Sequence, residues 1–85
     1  MSKSVFTDAH QVLVETIVSA RHEAGMLQEE LAGRLGKHQS YISNIERGQR
    51  RVDVLEFCAL ARALSLDPVQ LFGRLAAKLP RKIDI

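Results

Sequence analysis

The 85-residue sequence has little of the material on which secreted and membrane proteins depend. It contains a single cysteine, which cannot form an internal disulfide, so the bridged framework of small extracellular domains is not indicated. No apolar run approaches the roughly 18 residues that would span a bilayer. The first residues, MSKSVFTD, are polar and no apolar stretch follows them, so we expect no signal peptide. These absences favour a small cytoplasmic protein.

Neither sign of charge predominates in the sequence. The formal net charge is only +2, which is too small to identify a partner. Its distribution along the chain is more informative. Residues 31–51 carry a net charge of +4, whereas residues 1–30 and 52–72 carry −3 and −2, and residues 73–85 carry +3. A basic middle segment is what an anion-binding edge requires, although an ordinary solvated basic face would have the same charge pattern.

Apolar residues at helical spacing dominate the sequence pattern, and the alternation typical of strands is absent. They predict five helices joined by short turns. The length suits a single domain, with an expected core over residues 8–79 and a basic tail over residues 80–85. The residues predicted to face inward are, helix by helix, Leu13, Ile17, Ala20 and Ala24; Leu27, Leu31 and Leu35; Ile42 and Ile45; Val54, Phe57, Cys58, Ala61 and Leu64; and Val69, Phe72, Leu75 or Ala76, and Leu79. The predicted fold is an all-α, compact five-helix bundle.

Polar residues at the expected helix ends support this division. Thr7 or Asp8 can cap the first helix, and Asp53 can cap the fourth. Asp67 and Pro68 form a typical start for the fifth helix, with an acid at the N-cap and proline in the first turn. The glycines that follow the first three helices are Gly25, Gly36 and Gly48. These residues set the boundaries of the predicted helices.

The second and third helices, with a glycine between them, predict a helix-turn-helix over residues 28–47. Ala32 is small, as the close approach of two helix axes requires, and Gly36 can adopt a positive φ angle in the turn. His38 comes directly before the third helix, where Ser, Thr or Pro would begin a helix better. The apolar underside by which the two helices would pack on the bundle consists of Leu31, Leu35, Ile42 and Ile45.

The outer side of the third helix is short, polar and rich in amides and hydroxyls. It carries Gln39, Ser40, Ser43, Asn44 and Arg47. Amides can pair bidentately with N6 and N7 of adenine, and hydroxyls adapt to several base edges. This face therefore favours contact with the edges of DNA bases.

Residues 21–72 resemble the helix-turn-helix domain of Cro/repressor-type (XRE family) transcriptional regulators. The resemblance is carried by LQEELAGRLG, SYISNIERGQRRVDVLEFCALARAL and DPVQLF, among which the pattern Y-I-S-x-I-E-R-G is specific. Such lambda-repressor-like domains are five-helix bundles that bind operator DNA, usually as two-fold dimers. The resemblance implies a sequence-specific regulator of transcription in a bacterium or phage. It would bind double-stranded DNA as a homodimer, with residues 39–47 in the major groove.

The resemblance also implies roles for residues at matching positions. Base reading falls to Gln39, Ser40 and Asn44, for which the alternative is solvation or helix capping. Contacts with phosphates or groove edges fall to Gln28, Lys37, Tyr41, Ser43, Arg47, Arg50 and Arg51. These residues together form the predicted DNA contact set.

Some residues in and near this set have expected roles of a different kind. Arg21 and Glu46 match a salt bridge that ties the first helix to the recognition helix in this family, so their expected role is structural. Gln28 has helix capping as its alternative role. Tyr41 is expected to pack and to offer its hydroxyl to a phosphate, and Arg34 is expected to be solvated.

Other chemistries find no support in the sequence. His10, His22 and His38 are widely separated and no cysteine joins them at ligand spacing, so we expect no metal site. Cys58 lies on the apolar face of the fourth helix and is expected to be a buried small residue, not a nucleophile. Nucleotide-binding glycine motifs and nucleophile elbows are absent. We therefore expect no enzymatic activity, no cofactor and no small-molecule substrate.

Dimer formation has weaker support from the residues themselves. Leu66, Leu71, Leu75 and Leu79 exceed what one face of a short helix needs, so some apolar surface is expected to be left for a second copy. The alternative is that they all pack against the first helix. A rival function is a helix-turn-helix adaptor or antitoxin that acts mainly through a protein partner. Its interface would carry more exposed aromatic residues than this one.

Overall fold

The computed structural model describes residues 8–84, which form five α-helices and no strand. In chain order the helices are α1 (Asp8–Glu23), α2 (Gln28–Arg34), α3 (Gln39–Glu46), α4 (Val54–Ala63) and α5 (Pro68–Lys78). The predicted all-α five-helix bundle is confirmed. Within the described residues, no helix has the length and apolar character needed to cross a membrane.

The predicted boundaries differ from the observed ones in small ways. The third helix was expected to continue to Arg47, but that residue is the C-cap of α3. Thr7, one of two residues proposed to cap α1, lies outside the described residues, as do the other residues before Asp8 and Ile85. The extent of the single domain, residues 1–85, therefore stays a prediction.

Local hydrogen bonds explain where α4 and α5 begin. Asp53 accepts from the backbone N–H of Glu56 at 2.7 Å, and Glu56 accepts from the backbone N–H of Asp53 at 3.0 Å, so the two residues form a capping box. Asp67 accepts from the N–H of Val69 at 2.9 Å, and Pro68 is the first helical residue. The predicted caps of α4 and α5 are confirmed.

His38 begins α3 better than its residue type indicates. Its Nδ1 accepts from the backbone N–H of Ser40 at 3.2 Å, which satisfies one of the N–H groups that a helix start leaves without an intrahelical acceptor. The Ser40 hydroxyl lies 3.0 Å from the same ring nitrogen. An imidazole therefore caps α3 in place of the usual hydroxyl or carboxylate.

The turn between α2 and α3 depends on the backbone of Gly36. This residue has a φ angle of +68°, in the left-handed region that favours glycine. The turn lets the N–H of Lys37 donate to the carbonyl of Ala32 at 2.9 Å, which closes the C-terminal end of α2. A Cβ atom at Gly36 would meet nothing within 4 Å, so the turn requires the conformation and not the small size of glycine.

The core receives side chains from all five helices. The largest fully buried residues are Ile17, Leu31, Ile42, Ile45, Leu60 and Leu71. Three of them lie on α2 and α3, so the helix-turn-helix packs against α1 and α4 through the predicted underside. Leu35, the fourth residue of that underside, is half-buried.

Five residues predicted to face inward are exposed. Ala24 lies beyond the end of α1, and Leu27, the N-cap residue of α2, is 67% exposed. Val54, Val69 and Phe72 are 77%, 77% and 55% exposed. Val54 occupies the first turn of α4, before that helix reaches the core. On α5 the buried face is formed by Leu71 and Leu75, and the adjacent Phe72 is turned by about 100° from Leu71. Leu13 and Cys58, also predicted to be buried, are only half-buried.

Candidate nucleic-acid interface

A buried ion pair fixes α3 to α1. Arg21 donates through Nε to Oε2 of Glu46 at 2.6 Å and through Nη2 to Oε1 at 2.9 Å. A third donor of Arg21, Nη1, reaches the carbonyl of Met26 at 2.8 Å. The Arg21 and Glu46 side chains are only 10% and 7% exposed. Two parallel hydrogen bonds between planar groups set the orientation of α3 as well as its distance from α1.

The same carboxylate orients two glutamines. Gln28 donates its Nε2 to Oε1 of Glu46 at 2.8 Å, and its own Oε1 accepts from Nε2 of Gln39 at 3.1 Å. An ionised carboxylate can only accept, so the Gln28 amide must turn its nitrogen to Glu46 and its oxygen to Gln39. This direction leaves the Gln39 amide with its oxygen and one N–H for another partner. Gln39 is exposed at the start of α3, whereas Gln28 is half-buried.

The rest of the polar face of α3 is partly held by internal contacts. Arg47 donates through Nη2 to Oδ1 of Asn44 at 2.6 Å. The amide oxygen of Asn44 is thus occupied, and its amide nitrogen stays available to donate to another partner. Ser40 and Arg47 are exposed, and Ser43 and Asn44 are half-buried. The structure thus places all three predicted base-reading residues on one short helix, with Gln39 and Ser40 the more exposed.

Lys37, Tyr41 and Arg50 come together around one aromatic ring. The guanidinium carbon of Arg50 lies 4.7 Å from the ring centroid of Tyr41, and Nζ of Lys37 lies 5.4 Å from it. Both distances are within the range of cation–π attraction. Three predicted phosphate ligands are therefore gathered between the turn before α3 and the loop after it.

Glu56 completes this cluster and was not predicted to belong to it. Its Oε2 accepts from the hydroxyl of Tyr41 and from Nη2 of Arg50, each at 2.8 Å. The backbone N–H of Asp53, then the hydrogen bonds and charge of Tyr41 and Arg50, hold the pKa of the Glu56 carboxyl below its usual value. Its position three residues after Asp53 indicates a capping box, but nothing in the sequence indicates its reach to Tyr41.

The contact with Glu56 also affects the pKa of the Tyr41 hydroxyl. Burial, then the hydrogen bond to Glu56, raises the pKa of Tyr41 to about 12. The phenol is therefore neutral at physiological pH and donates its one proton to the carboxylate. The predicted contact of this hydroxyl with a phosphate would require that proton to change partners.

Arg51 and Arg34 contact other parts of the molecule. Arg51 lines a shallow pocket with His10, Ile83 and Asp84. Burial, then the charge of Arg51, lowers the pKa of His10. Arg34, expected to be solvated, is exposed but donates to the carbonyl of Ala63 at 3.0 Å. The phosphate role of Arg51 stays a prediction, and its backbone carbonyl accepts from Nη1 of Arg50 at 2.8 Å.

A second surface is apolar and is formed by α4 and α5. Val54, Val69 and Phe72 line a groove of about 350 Å³, and we call these three residues the α4–α5 patch. Phe72 packs edge-on against Phe57, with ring centroids 6.2 Å apart. The leucines predicted to supply this leftover surface do not do so, because Leu71 and Leu75 are buried. The other two, Leu66 and Leu79, pack partly buried against the core.

Comparisons with known proteins identify the same architecture. The sequence pattern of the family described as Helix-turn-helix matches residues 17–71. The chain is 36% identical over 64 residues to an uncharacterized HTH-type transcriptional regulator, y4dJ, of Sinorhizobium fredii, covering 75% of this chain and 83% of the relative. It is 34% identical over 73 residues to the control protein C.SmaI of Serratia marcescens, covering 86% of this chain and 87% of that protein.

The similarity extends from the sequence to the three-dimensional structure. The XRE-family like protein from Pseudomonas syringae pv. tomato superposes with a TM-score of 0.77 at 42% sequence identity, over 85% of this chain and 88% of that one. The resemblance found from the sequence motif is thereby confirmed at the level of sequence and of structure. The chain belongs to the helix-turn-helix family, in the XRE type that its Y-I-S-x-I-E-R-G motif indicates.

Proposed function

We propose that this chain is a sequence-specific, DNA-binding transcriptional regulator that binds operator DNA as a homodimer, with α3 in the major groove. Family membership and regulatory relatives support DNA-binding control of transcription. The observation that carries the sequence-specific part is the oriented amide of Gln39. This amide is exposed at the start of α3 and fixed through Gln28 and Glu46. A surface that only attracted phosphates would not need one amide held in one direction.

The remaining hydrogen-bonding groups of Gln39 match adenine. Its oxygen can accept from N6 and its second N–H can donate to N7, which is the bidentate pairing of an amide with that base. Ser40 lies beside it in the first turn of α3 and Asn44 lies one turn further along, so these residues read neighbouring positions. Because Arg47 occupies the oxygen of Asn44, the free amide nitrogen of Asn44 favours an acceptor such as O6 of guanine or O4 of thymine.

Phosphate contacts supply most of the affinity in this proposal. The contact set is Gln28, Lys37, Tyr41, Ser43, Arg47, Arg50 and Arg51. It contains most of the basic residues of the +4 segment over residues 31–51, and such contacts fix register without reading sequence. The proposal includes no catalytic step, cofactor or small-molecule ligand, and a bacterial regulator of this type works in the cytoplasm.

The α4–α5 patch provides the proposed dimer interface. A helix of eight residues such as α3 is about 12 Å long, so one copy reads only a half-site. The patch is carried by helices other than α2 and α3, which lets a second copy cover it while both reading helices stay accessible. Paired regulators of this kind place their reading helices about 34 Å apart on DNA.

Selection of bound duplexes from random DNA tests the proposed function. The expected result is enrichment of two inverted half-sites about 10 base pairs apart, each with a fixed adenine. Salt-sensitive binding to every duplex without enrichment would contradict sequence reading. Absence of DNA binding together with a stable protein complex would favour the adaptor or antitoxin alternative.

A further inference from the structure

A carboxylate lies inside the predicted phosphate-binding cluster. Glu56 has a side chain that is 24% exposed and is paired with Arg50, whose side chain is 41% exposed. Its Oε2 accepts from Arg50 and Tyr41 at 2.8 Å each, and its Oε1 lies 3.4 Å from Nη1 of Arg50. Oε1 also accepts from the backbone N–H of Asp53 at 3.0 Å. One negative group therefore binds two side chains of the proposed DNA contact set.

Phosphate and carboxylate compete for the same donors. A guanidinium binds either anion through parallel N–H groups, so Arg50 cannot give the same edge to both. Tyr41 has a single hydroxyl proton, and that proton is donated to Glu56. A DNA backbone that reaches this cluster must displace Glu56 from Arg50 or bind without the full contact.

We propose that Glu56 is an intramolecular competitor of DNA phosphate for Arg50 and Tyr41, and that it lowers the affinity of the reading surface for DNA. This inference rests on the proposed DNA-binding function. DNA that docks closely, such as the operator, brings a phosphate near enough to displace the carboxylate. Loosely docked DNA of other sequence leaves Arg50 on Glu56 and releases no counterion there.

The variant Glu56→Gln tests this competition with the fold retained. Glutamine at this position also completes a capping box, so α4 keeps its cap while the negative charge is removed. Binding of the wild type and the variant is measured on the selected operator and on a scrambled duplex of equal length, at several salt concentrations. We expect tighter binding to both, on the order of threefold to tenfold. On scrambled DNA the salt dependence should become steeper by about one phosphate contact, a slope change of roughly 0.9.

Two controls separate competition from a general change in charge. Glu15→Gln changes the net charge equally but lies on an exposed position of α1, and it should leave the slope on scrambled DNA unchanged. In an Arg50→Gln background, adding Glu56→Gln should no longer steepen the slope, because the charged donor is gone and the neutral hydroxyl of Tyr41 releases no counterion. Equal slopes for Glu56→Gln and Glu15→Gln would overturn the proposal. Weaker binding of Glu56→Gln to both duplexes would also overturn it, since Glu56 would then orient Arg50 for DNA.

Arg50→Gln alone gives an independent test that does not depend on the folding of the Glu56 variant. On operator DNA it should make the dependence of log affinity on log salt concentration shallower by roughly 0.9, the equivalent of one phosphate contact. On scrambled DNA the same slope should stay nearly unchanged. A loss of about one contact on both duplexes would show that Glu56 does not restrain Arg50. The proposed function fails separately, if the wild type selects no sequence and binds no DNA in a salt-dependent way.

Discussion

The amide nitrogen of Gln39 donates to the amide oxygen of Gln28 at 3.1 Å. Gln28 in turn donates to Glu46, so the direction of this bond is set by a carboxylate two side chains away. A flexible side chain at the start of α3, the proposed reading helix, is thus held in one orientation before any DNA is present. Ordering it in advance reduces the entropy that binding must otherwise remove.

Substitutions at the two glutamines should both act at the same base. Gln39→Ala should cost about 1–3 kcal/mol of discrimination at one adenine position. Gln28→Ala should relax the preference at that position as well, because the Gln39 amide loses its fixed direction. The measurement is a competition titration with operators that carry each of the four bases there. Lys37→Ala is the control, expected to weaken all four operators alike, and the same behaviour in Gln28→Ala would refute the orienting role.

The pair between Arg21 and Glu46 should dominate the stability of the motif. Glu46→Gln leaves a buried guanidinium without its counter-charge, and we expect a loss of about 3–5 kcal/mol in the free energy of unfolding. Urea unfolding monitored by circular dichroism measures it. Arg74→Gln is the matched control, because the Arg74–Glu23 pair has side chains 38% and 63% exposed. That variant should lose less than about 1 kcal/mol, and equal losses in the two variants would contradict the role given to burial.

The features predicted correctly from the sequence are mainly those whose cause is local. Asp53, Asp67 and Pro68 act within three residues along the chain, so their capping roles could be predicted without the fold. Val54 and Phe72 were wrongly predicted to be buried, because their exposure depends on how α4 and α5 dock. A shift of one residue along a helix turns the side chain by about 100°, which is enough to move it off the buried face.

The parts of the site that the sequence did not reveal are contacts between distant residues. Glu56 has a visible local role as the partner of Asp53 in a capping box, and this role conceals its contact with Tyr41 fifteen positions earlier. His38 was predicted to be a poor helix start because the usual caps are hydroxyls and carboxylates. Its ring caps α3 only because the side chain folds back onto the N–H of Ser40.

Substitution by alanine at two glycines of the helix-turn-helix should change the free energy of unfolding in opposite directions. Gly36→Ala forces a side chain into the left-handed region and should destabilise the fold by about 1–2 kcal/mol. Gly33 lies inside α2 with open space where its Cβ would be. Gly33→Ala should therefore stabilise the fold by up to about 0.5–1 kcal/mol. Thermal unfolding of both variants measures the difference, and destabilisation of both would show that crowding, and not backbone conformation, sets the cost.

Phe72→Glu should separate dimer formation from folding. Phe72 is 55% exposed in the α4–α5 patch and packs edge-on against Phe57, so a charge there removes one contact with the core while it opposes burial against a second copy. Sedimentation equilibrium should show a monomer, and operator affinity should fall while helical content is kept. Ile83→Glu introduces the same charge at an exposed apolar residue outside the patch and should leave the dimer unchanged. A Phe72→Glu protein that still forms the wild-type dimer would exclude the patch as the interface.

The single tyrosine allows the Tyr41–Glu56 contact to be observed without DNA. The chain has one Tyr and no Trp, so the absorbance change on tyrosinate formation reports Tyr41 alone. The pKa of Tyr41 is raised to about 12 in the folded protein, against about 10 when unfolded. Between these values the folded state holds more protons than the unfolded state. The stability linked to Tyr41 is therefore fully present below about pH 10 and is lost as the pH rises from about 10 to 12, because burial first, and then the hydrogen bond to Glu56, oppose ionisation of the phenol in the folded state.

Glu56→Gln should lower the pKa of Tyr41 toward 10 and make stability less dependent on pH in this range, because it removes the negative charge that opposes ionisation of the phenol. Glu15→Gln should change neither quantity. A Tyr41 that titrates near 10 in the wild type would mean that its hydroxyl is not held by Glu56 in solution.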